Sequence, residues 1–274
     1  MISRLEYEGI VGAALREDAP FGDPFGSSFS GQAHGSFVAG AKGVFCGGMV
    51  AVEVFRQVDP QVAATFLREG TRVSRGMKVG EAEGTASSLL RGERVALNFL
   101  QRLSGVASTT AAYVERVAPH GTRILDTRKT TPLLRALEKY AVRVGGGHNH
   151  RFSLSDGVLI KENAVRAAGS ITMAVTAARK AAHHLARVEV EVESLTQAEE
   201  AVDVGATALL LDNMTPDEVR EAVDRYGEKV LLEASGGIHL GNVGEYARAG
   251  VAAISIGALT HSAPALDISF ELDP

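Results

Sequence analysis

The chain has 274 residues, 45% hydrophobic and 22% charged, enough apolar material for a full core and too much for general disorder. Lys and Arg number 28 against 33 Asp and Glu, and the formal net charge of -5 argues against duplex nucleic acid as a partner. The single cysteine, Cys46, cannot form an internal disulfide, and no window is apolar over the length of a membrane span. These features lead us to expect a cytoplasmic protein without membrane association. The opening stretch MISRLEYEGIVGAALRED is broken by charges and does not read as a signal peptide.

Residues 4–18 carry Leu5, Ile10, Val11, Ala14 and Leu15 at helical spacing. The Gly, Pro and Ser of 21–32 predict a loop. Residues 33–48 read as two short strands joined by a turn, 49–58 as a helix and 62–67 as a strand. Residues 70–87 read as strand again, broken by glycines. Helices and strands mix there without a regular beat, which predicts an α+β unit. Residues 89–118 are rich in helix formers and predict one long helix or two in succession.

Beyond that point short Leu-rich or β-branched runs alternate with amphipathic stretches. RIL, VLI, VEVEV, ALLLD, VLLEA and AISIG are the strands; the segments between them carry helical periodicity. Such alternation predicts a parallel sheet covered by helices, and its repetition an α/β barrel. The expected domains are 1–106 and 107–263, with the tail 264–274 packing back on the first. No linker of low complexity marks the boundary.

In α/β barrels chemistry collects where the strands end. RIL is followed by Asp126, Thr127, Arg128 and Lys129, and VLI by Lys161, Glu162 and Asn163. VEVEVE offers Glu189, Glu191 and Glu193. LLL ends in Asp212-Asn213, VLLE runs into Ala234-Ser235-Gly236-Gly237, and ISI into Gly257-Ala258. Between the first two strands lies VGGGHNHRFS, with His150 and Arg151. Arg128, Lys129, His150, Arg151 and Lys161 form a cationic group, so the substrate should carry several negative charges. Glu191 and Asp212 form an anionic pair that either holds a divalent cation or stabilises a cationic sugar transition state. Ser235, Gly236, Gly237 and Gly257 sit at the last two strands, the usual phosphate site of a barrel.

Each residue alone has a plainer explanation. A single Arg or Lys in a loop is ordinarily a solvated charge, and the SGG and GGG runs suit ordinary turns. VEVEV reads equally as a strand with valines on one face. Yet glutamates on a doubly covered parallel strand need partners, and six strand ends agree.

The string DTRKTTPLLRALEKYAVRVGGGHNHRFSLSDGVLIKEN (126–163) resembles the quinolinate phosphoribosyltransferases. ERVALNFLQRLSGVAS (93–108), EVEVES, LLLDN, EASGGI and SIGALTHS match in the same order, so the resemblance covers most of 90–263. It implies an α/β fold, an N-terminal α/β sandwich packed on an open, incomplete α/β barrel. It implies a homodimer whose active sites are shared across the interface. Its substrates would be quinolinate and phosphoribosyl pyrophosphate with Mg2+, giving nicotinate mononucleotide, pyrophosphate and carbon dioxide. By the same resemblance Arg128, His150, Arg151 and Lys161 bind the quinolinate carboxylates, with Arg94 supplied by the neighbouring subunit. Lys129, Glu191 and Asp212 serve the phosphoribosyl donor and its metal. Ser235, Gly236, Gly237 and Gly257 cradle the 5′-phosphate, and His261 lies in the matching strand-end motif.

Two departures stand out. The family's Lys-Asp-Asn-His is here Lys161-Glu162-Asn163-Ala164, and its Gly-Asp-x-Thr is Gly22-Asp23-Pro24-Phe25. Its basic residue before Gly-Val is Lys42. They motivate one alternative, a paralogue acting on another aromatic acid. A catalytically silent phosphate-sugar binding protein on the same fold is a second, and a Schiff-base aldolase using Lys161 a third.

Overall fold

The computed structural model describes residues 2–273, the side chain of Ser27 excepted. The first half contains α1 (Glu8–Asp18), β1 (Gln32–Ala39), β2 (Gly43–Val44), α2 (Gly48–Val58), β3 (Ala63–Phe66), β4 (Arg72–Val73) and β5 (Lys78–Thr85). α3 (Ala86–Val117), β6 (Arg123–Leu125), α4 (Arg135–Val144), β7 (Val158–Ile160), α5 (Glu162–Ala168) and α6 (Ile171–Ala181) follow. Next come β8 (Val188–Val192), α7 (Leu195–Asp203), β9 (Ala208–Asp212), α8 (Pro216–Tyr226) and β10 (Leu231–Ser235). The chain closes with α9 (Val243–Arg248), β11 (Ala253–Ser255), α10 (Ala258–His261) and β12 (Ile268–Leu272).

Packing divides the chain into two compact units. One takes the residues up to Ala111, Thr130–Gly146 and those from Ala258 on; the other takes Ala112–Lys129 and Gly147–Gly257. Position 106/107 falls inside α3, a single unbroken helix of 32 residues. Packing, and no linker, sets the division.

The first unit is built on an antiparallel sheet of order β12-β1-β5-β3. Phe37 of β1 stands opposite Phe270 of β12, their ring centroids 4.6 Å apart, and also meets Phe66 and Phe55. A Cβ on Gly35 would lie 2.3 Å from the Phe270 ring, and one on Gly80 2.2 Å from the Phe66 ring. Only glycine lets those rings lie flat against the strands. α2 buries Val50, Ala51, Val54 and Phe55 on one face. In the same unit Glu138 of α4 is fully buried and accepts from Arg102 of α3 and from the Thr131 N–H and hydroxyl.

The second unit holds six parallel strands in the order β6-β11-β10-β9-β8-β7. β6 and β7 are its edges, and one bridge from Leu125 to His148 extends the β6 side, so the barrel is open. Pairing puts Glu191, Leu210 and Glu233 in one row and Asp212 beside Ser235 in the next. Because side chains alternate, the same face carries Leu159, Glu189 and Ser255, while Val190, Val192, Leu209, Leu211 and Ile254 line the other. That second face is fully buried under the helices. The valine–glutamate alternation of β8 therefore separates a helix-packed face from a polar one. α5 is a helix the periodicity did not reveal: it has seven residues, buries none of them, and stops at Gly169 with φ 96°.

Candidate active site

The C-terminal ends of the six strands open on a cavity of about 190 Å3, lined by residues of the second unit alone. Arg128 and Lys129 enter from the turn after β6, His150 and Arg151 from the segment before β7, and Lys161 from the end of β7. Glu191 of β8, Asp212 of β9, Ser235 of β10 and Ser255 of β11 complete the wall. Arg94 and His261, the other two side chains the sequence singled out, belong to the first unit. Arg94 is exposed on α3, 3.9 Å from Glu93, and His261 Nδ1 lies 2.6 Å from the Ser262 hydroxyl.

Local chemistry fixes each approach. The Thr127 hydroxyl accepts from the Lys129 N–H at 3.0 Å, tightening the turn that presents Arg128 and Lys129. Asp126, fully buried, accepts from the His150 N–H at 2.9 Å and from the Asn149 side chain, tying the GGGHNHR segment to β6. Lys161 Nζ is ion-paired with Glu191 Oε2. Asn213 Nδ2 donates to Asp212 Oδ2 at 2.7 Å, and the Asn213 N–H to the Ser235 carbonyl at 2.9 Å. Gly236 and Gly237 follow at φ 89° and 61°, and a Cβ on Gly236 would meet Asn213 Oδ1 at 2.3 Å. At Gly236 the turn after β10 is thus open to glycine alone. Gly257 follows β11 at the same end of the sheet.

The electrostatics are strongly polarised. Burial, and then the charge of Arg128, push the Arg151 guanidinium below its ordinary value, so two cations are held close together against their repulsion. Glu191 and Asp212, two carboxylates without Cys or His, form a donor pair suited to a hard, oxygen-seeking cation. Behind the cavity wall His150 Nε2 lies 3.0 Å from Glu189 Oε2 and 3.6 Å from Glu233 Oε1. Among the described residues, these three offer ligand atoms within 4.8 Å of one another. Burial, reinforced by the Glu189 charge, raises the Glu233 carboxyl to about 7. Sequence reasoning passed over Glu233 because, inside VLLEA, it reads as the polar end of an apolar strand. Its counterpart signal was the Glu189 of VEVEV, which needed a partner on the same face.

A larger cavity of about 750 Å3 lies at the other end of the sheet, against Arg187, Thr207, Lys229 and Leu231. In parallel α/β sheets that end serves stability, and its charged lining, Arg187, Glu228 and Lys229, contains none of the strand-end residues described above. The chemistry points to the smaller cavity.

Family models for the quinolinate phosphoribosyl transferase N-terminal and C-terminal domains match residues 28–104 and 106–271. The chain is 42% identical over 270 residues to the human nicotinate-nucleotide pyrophosphorylase [carboxylating], spanning 96% of this chain and 90% of that one. A probable nicotinate-nucleotide pyrophosphorylase [carboxylating] of Bacillus subtilis is 41% identical over 274 residues, 99% of this chain and 95% of its own. The crystal structure of NadC from Streptococcus pyogenes superposes with a TM-score of 0.95 at 42% identity, covering 100% of this chain and 98% of that one.

Proposed function

The chain belongs to the quinolinate phosphoribosyltransferase family, and from that premise we propose how its own residues carry out the reaction. The enzyme transfers the phosphoribosyl group of phosphoribosyl pyrophosphate to quinolinate with decarboxylation. Nicotinate mononucleotide, pyrophosphate and carbon dioxide are the products, a step of NAD biosynthesis. One observation carries the assignment of the site: Arg128, Lys129, Arg151, Lys161, Glu191, Asp212 and Ser235 converge on a single cavity at the strand ends. A dicarboxylic acceptor and a donor with three phosphates need this density of cations.

Arg128, Arg151 and Lys161 hold the two carboxylates of the acceptor, fixing the pyridine nitrogen against the anomeric carbon. Lys161 does so by leaving, or sharing, its ion pair with Glu191. Ser235, Gly236, Gly237 and Gly257 present hydroxyl and backbone donors to the 5′-phosphate. Lys129 neutralises the departing pyrophosphate. Positive charge that grows on the ribose ring is offset by Glu191 or Asp212. The same two carboxylates fit Mg2+, which when bound supplies further charge neutralisation on the pyrophosphate oxygens. In the N-ribosylated quinolinate adduct the cationic pyridinium nitrogen then serves as the electron sink for loss of the adjacent carboxylate as carbon dioxide, and the ring carbon left behind takes up a proton to give nicotinate mononucleotide.

The homodimer, with Arg94 completing the partner's site, is supported by the exposure of that side chain away from any strong ion pair. A cytoplasmic location agrees with one buried, unoxidised cysteine, and no helix among the described residues is long and apolar enough to cross a membrane.

The test is incubation with quinolinate, phosphoribosyl pyrophosphate and Mg2+, following nicotinate mononucleotide and carbon dioxide together. Equal amounts are expected. Folded protein that forms no mononucleotide removes the reading, and turnover of another aromatic acid without carbon dioxide favours a paralogue.

A further inference from the structure

Two residues assigned to the phosphoribosyl donor are the last before the chain passes from the second unit into the first: Lys129 before Thr130, and Gly257 before Ala258. Inside the first unit one buried ion pair holds both continuations. Glu138 of α4, inaccessible to solvent, accepts from the Thr131 N–H at 3.0 Å through Oε2 and from the Thr131 hydroxyl at 2.7 Å through Oε1. Oε1 also accepts from Nε of Arg102, on α3, at 3.0 Å. The same guanidinium donates from Nη1 to the Ala263 carbonyl at 3.1 Å, and from Nη2 to the carbonyl of the buried Thr260. Its planar fork thus joins the carboxylate on one side to the end of α10 on the other. Thr131 lies two residues beyond Lys129, and Thr260 three beyond Gly257.

Stability alone is a poor account of this arrangement, since apolar side chains of similar volume often replace a buried ion pair at no cost to the fold. What the pair adds is a fixed geometry among the groups it bonds. We propose that Arg102 and Glu138 are positioning residues for the phosphoribosyl donor: by bonding Thr131, Thr260 and Ala263 they hold Lys129, at the pyrophosphate, in register with Gly257, at the 5′-phosphate. The donor spans both points, so a shift of either one is felt in its binding. The acceptor is less exposed to such a shift. Arg128 stands one residue further from the clamp, and Arg151 and Lys161 reach the cavity from the segments around β7. The proposal rests on the reading of Lys129 and Gly257 as donor contacts.

Two substitutions loosen the two sides of the clamp while a cation stays beside Glu138. Thr131→Val replaces the hydroxyl that donates to Glu138 by a methyl group. Arg102→Lys keeps the charge, but one ammonium cannot serve Glu138, Thr260 and Ala263 at once. Each should raise KM for phosphoribosyl pyrophosphate about fivefold or more, with KM for quinolinate within about twofold of the parent. Thr131→Ser, which keeps the hydroxyl, should restore the parent's donor KM. A donor KM unchanged in both variants, or the two KM values rising together as general loosening would make them, overturns the proposal. Hydrogen exchange on the full chain without substrates gives a readout apart from turnover. Thr131→Val should speed amide exchange at 258–263, and Arg102→Lys at 127–131, in each case on the far side of the clamp. Loosening confined to the near side overturns the coupling. If the parent protein fails to turn over quinolinate, the functional reading falls, yet the exchange data still decide whether the pair joins the two segments.

Discussion

Replacing Glu233 by Gln should make the protein more resistant to neutral and alkaline pH, although it removes a charged side chain from the centre of the sheet. The Glu233 carboxyl is raised from 4.5 to about 7 by burial first and the Glu189 charge second. A folded-state value above the unfolded one means that the folded chain binds more protons between them. The contribution of this group to stability is therefore fully present below about 4.5 and is lost as pH rises toward about 7. The displacement corresponds to ~3 kcal/mol. Gln keeps the shape of the side chain without titrating. Thermal melts of both proteins at acidic and mildly alkaline pH isolate the effect, because groups that do not interact with Glu233 cancel in the difference. The Gln variant should gain on the parent by ~6–12 °C as pH passes from 4 to 8, taking ~2–4 °C per kcal/mol for a chain of this size. A difference that stays constant with pH would refute the reasoning, since Glu233 would then be charged at no cost in the fold.

Glu53 supplies the opposite sign: Arg56 holds its carboxyl at about 2, so its stabilisation is present above 4.5 and should drain away on acidification toward that value. Glu53→Gln should flatten the acid limb of the stability curve, read by the same melts. Glu138→Gln strips the fully buried partner of Arg102 and should cost about 3–5 kcal/mol in urea unfolding. Arg128→Ala should weaken quinolinate binding by about a hundredfold in calorimetry while the fold persists; unchanged affinity removes it from the site. Mixing Arg94→Ala with Arg128→Ala protein should restore part of the activity through heterodimers carrying one intact site. No recovery after subunit exchange would count against sharing across the interface.

The barrel half was legible because its strands and helices repeat, and because each strand end delivers a charge or a glycine. Glu191 and Asp212 showed themselves there, and Arg128, Lys129, Arg151 and Lys161 with them. Hidden features depend on pairing register. That Glu189, Glu233 and His150 meet follows from which residues of β8 and β10 share a face, and one sequence contains no record of strand neighbours. α5 escaped because a seven-residue helix with no buried side chain has no periodicity to read. The two strands expected over 33–48 are β1 and β2, but nothing local shows that Gly35 is there to admit the Phe270 ring. In that case the ring lies more than two hundred positions away, outside any local window.

That same pairing dictates an order of assembly. β1 lies between β5 and β12, and β12 occupies Ile268–Leu272, more than two hundred positions after β1. The parallel sheet of the second unit, complete by Ser255, has all its strands available earlier. During synthesis β1 must wait as an edge strand, with Phe37 lacking the Phe270 ring, until β12 has been made. The antiparallel sheet, begun before the parallel one, is thus completed after it. A nascent or carboxyl-truncated chain should then display an ordered barrel alongside a protease-sensitive amino-terminal sheet, with the terminal strand acting as the clasp that closes the fold.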